Sequence, residues 1–291
     1  MADAMRNKSY QGNFVYLHEN QLESMSISHI KDSAGERERL FSLNGEAREV
    51  FRDNKNLTCI WPSSRKVIVD SSRQKNFSPL FIPDDVARIE KFYDMKIIGH
   101  DRIADYQTVV VEIVPKDQLR YGLKLWINTE NELLMKSSLI DEQGRVVEQV
   151  MFTNLELLPE EDQLQMIRMP ELDDSYTLVR YHSGDASGNM VAEVEWQLSS
   201  IPDGFRQQSA LKREIPETGR YIQQLVYTDG LASLSIFIEK LSSSPTLLGG
   251  TSMGAVNAYI RVLDDYSVTA IGEVPALTVR RVAESVFYSK P

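Results

Sequence analysis

The sequence predicts an α+β fold that is mainly antiparallel β-sheet and is divided into two domains. The chain has 291 residues, which is longer than most single domains. From Tyr10 to Leu155, apolar and polar residues alternate with the two-residue period of half-buried strands. Only two stretches show helical spacing, one in each half of the chain. Hydrophobic residues make up 42% and charged residues 25% of the chain, which is typical of globular proteins.

Turn residues separate the strands predicted in the first half. Asn44 and Gly45 predict a hairpin with a two-residue turn, because both residues accept the positive φ angles that such a turn requires. Short turns near Asn128 and Gly144 separate four further strands, which must run antiparallel to their neighbours. The predicted meander comprises 107–115, 119–128, 133–140 and 145–155, with the clearest alternation at Tyr121, Leu123, Leu125 and Ile127.

A helix is predicted to begin at Pro83, Asp84 and Asp85. Proline fits the first turn of a helix, and acidic side chains are favoured at its positive end. This helix would cover part of the sheet with one face, which carries Val86, Ile89, Glu90 and Tyr93.

An acidic, proline-containing stretch is predicted to connect the domains. Residues 156–174 hold seven acidic residues, one basic residue and two prolines, and the Ser/Gly/Asp-rich stretch 183–189 follows. We therefore expect a first domain at 1–168, a linker at 169–190 and a second domain at 191–291.

The second domain is predicted to be a small sheet closed by a C-terminal helix. The helix opens at Pro275, and its apolar residues follow the i, i+3, i+4, i+7 spacing that buries one face: Val279, Val282, Ala283 and Val286. The strands are expected at 191–197, 221–228, 231–239, 255–263 and 266–272.

Charge and cysteine content exclude several classes of site. The net charge of −10 and the pI near 5.0 argue against broad binding to nucleic acid or to an anionic membrane surface. A single cysteine, Cys59, excludes an internal disulfide and a zinc site built from cysteines. We expect Cys59 to be a small buried hydrophobic residue.

One segment resembles the nucleophile segment of subtilisin-like proteases. It runs from Gly250 to Ala255, with Ser252 in the nucleophile position and His182 as the only plausible base upstream. It differs by the additional glycine Gly254, and loop and strand flank it rather than helix. A glycine-rich turn is therefore the preferred interpretation, and a hydrolase is the alternative.

The histidines show no metal-ligand spacing. His18 and His29 fall on strands of one predicted hairpin, where pairing would bring them together. Surface or rim positions on a sheet are the preferred interpretation. With no phosphate-binding or dinucleotide motif either, we expect no enzyme, no metal and no cofactor.

Large apolar side chains on the first-domain strands are candidates for the wall of a cavity. A curved antiparallel sheet with few helices can enclose an apolar ligand, and ordinary core packing is the alternative. The candidates for a lipid cavity are Phe14, Tyr16, Met25, Ile27, Phe41, Leu43, Trp61 and Trp126.

Several co-linear segments resemble the RseB/MucB family of Gram-negative periplasmic regulators of the envelope-stress sigma factor. The resemblance runs from about Tyr10 to Phe287. The segments are YQGNFVY (10–16), ERERLFSLNGEAREVFR (36–52), 92–155, PDGF (202–205), YTDGLASLSIFIE (227–239) and IGEVPALTVRRVAESV (271–286).

This resemblance implies a large half-open β-barrel domain similar to lipoprotein carriers, followed by a smaller α/β, sandwich-like domain with a C-terminal helix. It implies a non-enzymatic negative regulator that binds the periplasmic segment of a membrane anti-sigma factor and protects it from proteolysis. Lipid or lipopolysaccharide would release that hold. A periplasmic location is implied, with the signal peptide absent from this sequence. A homo-oligomer is left open, and a periplasmic carrier of lipid or lipoprotein is the alternative function.

For the partner site we expect the second domain and the cleft between the domains. Asp229-Gly230 predicts a hairpin whose strands would pair edge-on with an extended segment of the anti-sigma factor. Arginines on the last helix would meet an acidic partner, although a purely structural role is the alternative for both features. The candidates are Tyr227, Asp229, Leu231, Phe237, Arg280 and Arg281.

Overall fold

The computed structural model describes residues 1–19, 21–33, 35–54, 56–70, 86–159, 167, 169–170, 172–181, 195–215, 220–241 and 247–289. Two sheets dominate it, and the first remains open between two edge strands, which confirms the predicted half-open barrel followed by a second sheet domain. In this part of the chain, the helices fall short of the length and apolar character needed to span a membrane.

The first sheet has twelve strands in the order β12-β6-β5-β4-β3-β2-β1-β11-β10-β9-β8-β7. The predicted meander is confirmed, because β8 to β11 pair in sequence and antiparallel. The strands are β1 (Tyr10–His18), β2 (Gln21–Asp32), β3 (Gly35–Ser42), β4 (Glu49–Arg52), β5 (Leu57–Trp61), β6 (Lys66–Asp70), β7 (Tyr93–Ile103), β8 (Tyr106–Pro115), β9 (Gly122–Asn128), β10 (Leu134–Ile140), β11 (Val146–Leu157) and β12 (Thr177–Tyr181).

The hairpin at Asn44 and Gly45 is confirmed, but its predicted two-residue turn is wrong. Six residues, 43–48, connect β3 to β4, and of the pair only Gly45 has a positive φ, 72°. The Asn44 amide instead reaches β2, where Oδ1 accepts a hydrogen bond from the Ser24 amide at 2.6 Å and Nδ2 donates to the Leu22 carbonyl at 3.2 Å. The loop is long because it binds a third strand.

The predicted helix at 83–93 is a single turn, α2 (Val86–Ile89). Its expected start at Pro83 lies outside the described residues. Tyr93 does not lie on the face of helix α2. It begins strand β7, where it is buried. A short helix, α1 (Ala2–Asn7), was not predicted.

The stretch predicted as a linker contains a strand. β12 lies within 169–190 and pairs in parallel with β6, so it extends the first sheet at its edge. The stretch 183–189 lies outside the described residues. The domain limits at 168 and 191 stay a prediction.

The second sheet has six strands in the order β14-β15-β16-β19-β18-β17, and β13 and β20 form a separate pair. The C-terminal helix is confirmed as α3 (Ala276–Ser285), which buries Val279, Val282 and Ala283 against the sheet. Val286, predicted on the same helical face, is buried too but lies just after the helix, where it begins a strand. The strands are β13 (Trp196–Leu198), β14 (Arg206–Ile215), β15 (Arg220–Thr228), β16 (Ser233–Lys240), β17 (Gly249–Met253), β18 (Val256–Leu263), β19 (Tyr266–Gly272) and β20 (Val286–Tyr288).

Four of the five strands predicted here correspond to β15, β16, β18 and β19. The fifth predicted strand, at 191–197, overlaps the observed strand β13 only at its end. Residues 191–194 lie outside the described residues. The strands β14, β17 and β20 were not predicted.

Candidate functional site

A cavity of about 900 Å³ lies between the first sheet and the second domain. This volume is in the upper range of small-molecule sites, which hold roughly 300–1,000 Å³. Apolar side chains from alternate positions of β1 to β5 and β9 to β11 form one wall. They include Phe14, Met25, Leu40, Val50, Leu57, Leu123, Leu139 and Val150.

The second domain forms the opposite wall. The hairpin between β15 and β16 contributes 228 and 230–235, and β18 and β19 contribute Val256, Ile271 and Gly272. An occupant of the cavity therefore touches both domains at once.

Charged groups interrupt the apolar wall. Arg48, Arg52 and Arg88 lie on it together with Glu38 and Glu148. Glu273 lines the cavity as well, and Arg48 and Arg52 already pair with Glu23, Glu36 and Glu38, so the wall carries charges of both signs.

Two titratable groups on the wall are shifted by their surroundings. Burial alone would raise the pKa of Glu38, but its hydrogen bond to His29 and the adjacent charge of Arg52 outweigh burial and lower this pKa. Burial, followed by the charge of Glu148 and a hydrogen bond to it, raises the pKa of the Tyr16 phenol. Glu38 is thus held ionised, and Tyr16 neutral.

Four of the eight cavity candidates lie on the cavity wall: Phe14, Tyr16, Met25 and Trp61. Their role in binding a lipid stays a prediction. Cys59 also lines the cavity and packs half-buried against the first-domain core, so it is less covered than expected. Burial still raises the pKa of its thiol.

The other four candidates lie elsewhere. Ile27 is completely covered in the first-domain core, and Leu43 is exposed in the loop between β3 and β4. Phe41 faces away from the cavity, since its neighbour Leu40 lines it, and packs under the Arg39 guanidinium. Trp126 does not line the cavity either but is buried in the first-domain core, and its indole N–H donates to Asp101 at 2.9 Å. Sequence alternation identifies which residues share a face, but the choice of face was wrong for Phe41.

A buried ion pair joins the two domains beside the cavity. Arg120 Nη1 contacts Asp229 Oδ2 at 2.8 Å, and neither side chain has any exposed area. The Tyr93 hydroxyl donates to the same carboxylate oxygen at 2.8 Å, and Arg120 Nη2 donates to the Asp203 carbonyl at 2.6 Å. Three aromatic rings surround the guanidinium, those of Phe92, Tyr93 and Phe205.

Asp229 is therefore engaged within the fold in this structure, and its role in partner binding stays a prediction. Its second carboxylate oxygen accepts hydrogen bonds from the amides of Leu231 and Ala232, both at 2.8 Å, which holds the hairpin loop. Tyr227 is buried as well, and its hydroxyl donates to Gln207. Leu231 lines the cavity.

The predicted edge pairing on the strands of this hairpin was wrong. β15 pairs with β14 and β16, and β16 pairs with β15 and β19. Both strands lie inside the sheet, where their backbone groups already have partners. Phe237 of β16 is half-buried, and Arg280 and Arg281 are exposed on α3, where Arg280 pairs with Glu284.

The segment from Gly250 to Ala255, which resembles a protease nucleophile segment, forms a second contact between the two domains. Its first part is strand β17 rather than a turn, and the turn is confined to Gly254, with φ 59°, and Ala255. The Gly254 amide donates to Glu19 Oε1 at 2.7 Å, and the Ala255 amide donates to Glu148 Oε1 at 3.1 Å. Ser252 is exposed on β17, and His182 lies outside the described residues.

The two hairpin histidines do not meet. His18 pairs with Gln21 and His29 with Tyr10, so they lie at opposite ends of the β1–β2 ladder. His29 is buried rather than at a rim, and its ring nitrogens contact Glu38 and the backbone carbonyl of Arg6. Among the described residues, no group of His, Cys, Asp or Glu has a metal-binding arrangement.

Comparison with known proteins gives one consistent result. The family model described as MucB/RseB N-terminal domain matches residues 1–172, and that described as MucB/RseB C-terminal domain matches 190–287. The sigma factor AlgU regulatory protein MucB of Pseudomonas aeruginosa is 32% identical, over 98% of this chain and 88% of that protein. The sigma-E factor regulatory protein RseB of Escherichia coli K12 is 25% identical, over 97% of this chain and 87% of that protein.

Solved structures agree with the sequence comparisons. The crystal structure of MucB in complex with MucA(peri) has a TM-score of 0.74 and 29% identity, and the match covers 100% of this chain and 97% of that one. The Pseudomonas aeruginosa MucA/MucB complex has a TM-score of 0.76 at 29% identity, with 100% and 96% covered. Since the matching family models span both domains, this chain belongs to the MucB/RseB family.

Proposed function

We propose that this protein regulates a sigma factor by binding the periplasmic domain of a membrane anti-sigma factor and protecting that domain from proteolysis. The observation that carries the proposal is the match of both domains to proteins named as sigma factor regulators. Relatives that share the fold over the whole chain have been solved in complex with MucA. This function places the protein in the periplasm.

The protein acts by binding rather than by catalysis. Ser252, the residue closest to a nucleophile pattern, lies exposed on strand β17. The buried charged groups Arg120, Asp229 and Glu38 are engaged in ion pairs within the fold. These observations favour structural roles for the groups that would otherwise be candidates for acid–base chemistry.

A lipid is the ligand that releases the partner in this proposal. The cavity combines an apolar wall with the guanidinium groups of Arg48, Arg52 and Arg88. An acyl chain fits the first feature, and a phosphate or carboxylate would compete for the second with Glu23, Glu36 and Glu38, which already pair with Arg48 and Arg52. Because an occupant touches both domains, its binding can change how the domains present the partner site.

Titration calorimetry with the periplasmic domain of the anti-sigma factor from the same organism tests the proposal. We expect saturable binding, slower cleavage of the bound domain by a site-specific protease, and weaker binding when lipopolysaccharide is added. Absence of binding contradicts the regulatory function. Binding that lipopolysaccharide leaves unchanged contradicts only the release step.

A lipid or lipoprotein carrier is the second candidate, and the cavity is the observation that favours it. A carrier moves lipid between vesicles without the anti-sigma factor. The variant Leu139→Trp, which fills part of the cavity, separates the two functions. A regulator with this change still binds its partner but loses the lipid response, whereas a carrier loses transfer.

A further inference from the structure

We propose that strand β17 (Gly249–Met253) is where an extended segment of the anti-sigma partner pairs with this protein, adding a strand to the second sheet. The identity of the partner rests on the function proposed above. The place of binding is inferred from the edge position of β17, from its sequence and from the side chains beside it.

The two large sheets have four edge strands, and three of them carry features that discourage pairing. Charged side chains and bulges are the usual protection of an exposed edge. β7 has a bulge between Ile97 and Gly99 and charges at Lys96 and Arg102. β14 has a bulge after Gln207 and charges at Arg206 and Lys212. β12 is charged at Arg180.

β17 has none of this protection. Its sequence, GGTSM, contains no charge and no proline, and its five residues pair with β18 in regular register from Gly249 opposite Ile260 to Met253 opposite Val256. On its other side it pairs with no strand in the part of the chain that the structure describes. Its backbone therefore offers a straight row of donors and acceptors.

Apolar side chains beside this strand are exposed. Leu247, Leu248 and Met253 are 49%, 57% and 66% exposed. They lie at the two ends of β17, and exposed large apolar side chains beside an open strand edge favour coverage by a partner. The bound segment is thus expected to carry apolar side chains at alternate positions.

The glycines of β17 leave room for a partner side chain. Gly250 lies opposite Tyr259, and a Cβ atom on Gly250 would meet its nearest neighbour only at 3.9 Å. The Arg280 guanidinium lies 5.9 Å from the centre of the Tyr259 ring, and Arg281 is exposed on the same helix. An acidic side chain of the bound segment fits this place if it replaces Glu284 as the partner of Arg280.

A second copy of this chain fits less well. Two antiparallel β17 strands related by a two-fold axis place both α3 helices on the same face of the joined sheet. Arg280 and Arg281 of one copy then lie on the same face as those of the other, and like charges on one face disfavour pairing. We therefore assign the edge to an extended acidic and apolar segment.

Hydrogen exchange of the full chain, with and without the periplasmic domain of the anti-sigma factor, tests the assignment. In the saturated complex we expect the amide hydrogens of β17 to exchange slower by about tenfold or more. Exchange in β7 and β14 should be unchanged. Binding without protection of β17 overturns this inference and leaves the proposed function standing. No binding at all overturns the proposed function. Protection that requires only a higher protein concentration, together with a dimer in sedimentation, assigns the edge to a second copy instead.

A pair of proline variants provides the matched control. Successive N–H groups of a strand point to opposite sides, so Thr251→Pro and Ser252→Pro differ in which side loses its donor. The variant that keeps the original Tm has lost the outward N–H, and we expect it to bind the partner about tenfold more weakly. Unchanged affinity in that variant contradicts pairing on β17.

Reversal of the flanking charge tests the acidic contact. We expect the double variant Arg280→Glu, Arg281→Glu to weaken partner binding several-fold and to reduce its dependence on salt. Arg102→Glu on β7 changes charge at an exposed edge outside the proposed site and is expected to retain affinity. Equal losses in both indicate a general charge effect and contradict the assignment.

Discussion

At the scale of single residues, the completely buried charges define how the two domains meet. Asp229 serves two structures at once, because Oδ1 holds its own hairpin loop and Oδ2 binds Arg120. The local role follows from the sequence, since aspartate before glycine is typical of a turn. The long-range role does not, because Arg120 is 109 residues away and no periodicity relates the two positions.

We expect Asp229→Ala to destabilise the protein by about 3 kcal/mol, since it leaves the Arg120 guanidinium buried with one carboxylate fewer. The midpoint of urea unfolding measures this loss. Arg102→Ala removes a partner from the exposed pair with Asp105 and should leave the midpoint unchanged. Similar losses in both variants would contradict a special role for the buried pair.

The lowered pKa of Glu38 predicts a stability that depends on pH. A carboxyl group with a lower pKa in the folded state stabilises the protein above its unfolded pKa of about 4.3 and loses that contribution as the pH falls through the folded value. We expect Glu38→Gln to be less stable than wild type at pH 7 and to lose less stability between pH 5 and pH 3. Urea midpoints across this range measure it. Exposed Glu90→Gln should retain the wild-type profile.

At the scale of elements, alternation and turn residues predicted the strands, whereas the connections depended on distant contacts. The loop after β3 is six residues long because Asn44 binds β2. The Gly254 turn after β17 fits because its backbone amide meets Glu19 of the first domain. Strand positions follow from local spacing, but loop geometry follows from what the loop touches.

Gly204 lies in a loop where both conformation and space require glycine. Its φ is 90°, and a Cβ atom would lie 2.5 Å from the Phe92 ring. Gly45, with φ 72° and open space around it, is the matched control. We expect Gly45→Ala to cost about 1 kcal/mol, and Gly204→Ala about 1–3 kcal/mol more because of overpacking, as measured by chemical unfolding. Equal costs would show that the Phe92 ring moves freely.

At the scale of the whole molecule, the cavity belongs to neither domain alone. The first sheet supplies one wall, and the second domain supplies the other through the β15–β16 hairpin and β19. The contacts of Arg120 with Asp229 and of Glu148 with Ala255 fasten the two walls together. A ligand that filled this cavity would therefore touch both domains at once.

Tryptophan fluorescence provides a direct measure of cavity occupancy. Of the three tryptophans, Trp61 lines the cavity, whereas Trp126 and Trp196 are buried elsewhere. We expect an anionic single-chain amphiphile to shift the emission of the wild type to shorter wavelength. Trp61→Phe should abolish the shift, and Trp196→Phe should retain it. A shift that persists without Trp61 would place the amphiphile outside the cavity.

The sequence by itself determined the fold class, most strands, the covering helix and the family. Each depends on local periodicity, on turn chemistry or on co-linear motifs, and such signals are present in the order of residues. The sequence also placed Phe14, Tyr16, Met25 and Trp61 among the cavity candidates, because alternation marks a shared apolar face.

The tertiary structure alone decided which face of each strand turns inward, which strands end a sheet and where the domains touch. Phe41 faces away from the cavity, β15 and β16 lie inside their sheet, and Asp229 is buried against Arg120. These outcomes depend on contacts between residues far apart in the chain. A local pattern cannot specify them, because the same alternating strand fits an edge or a centre, and an aspartate before glycine fits a free turn or a buried ion pair.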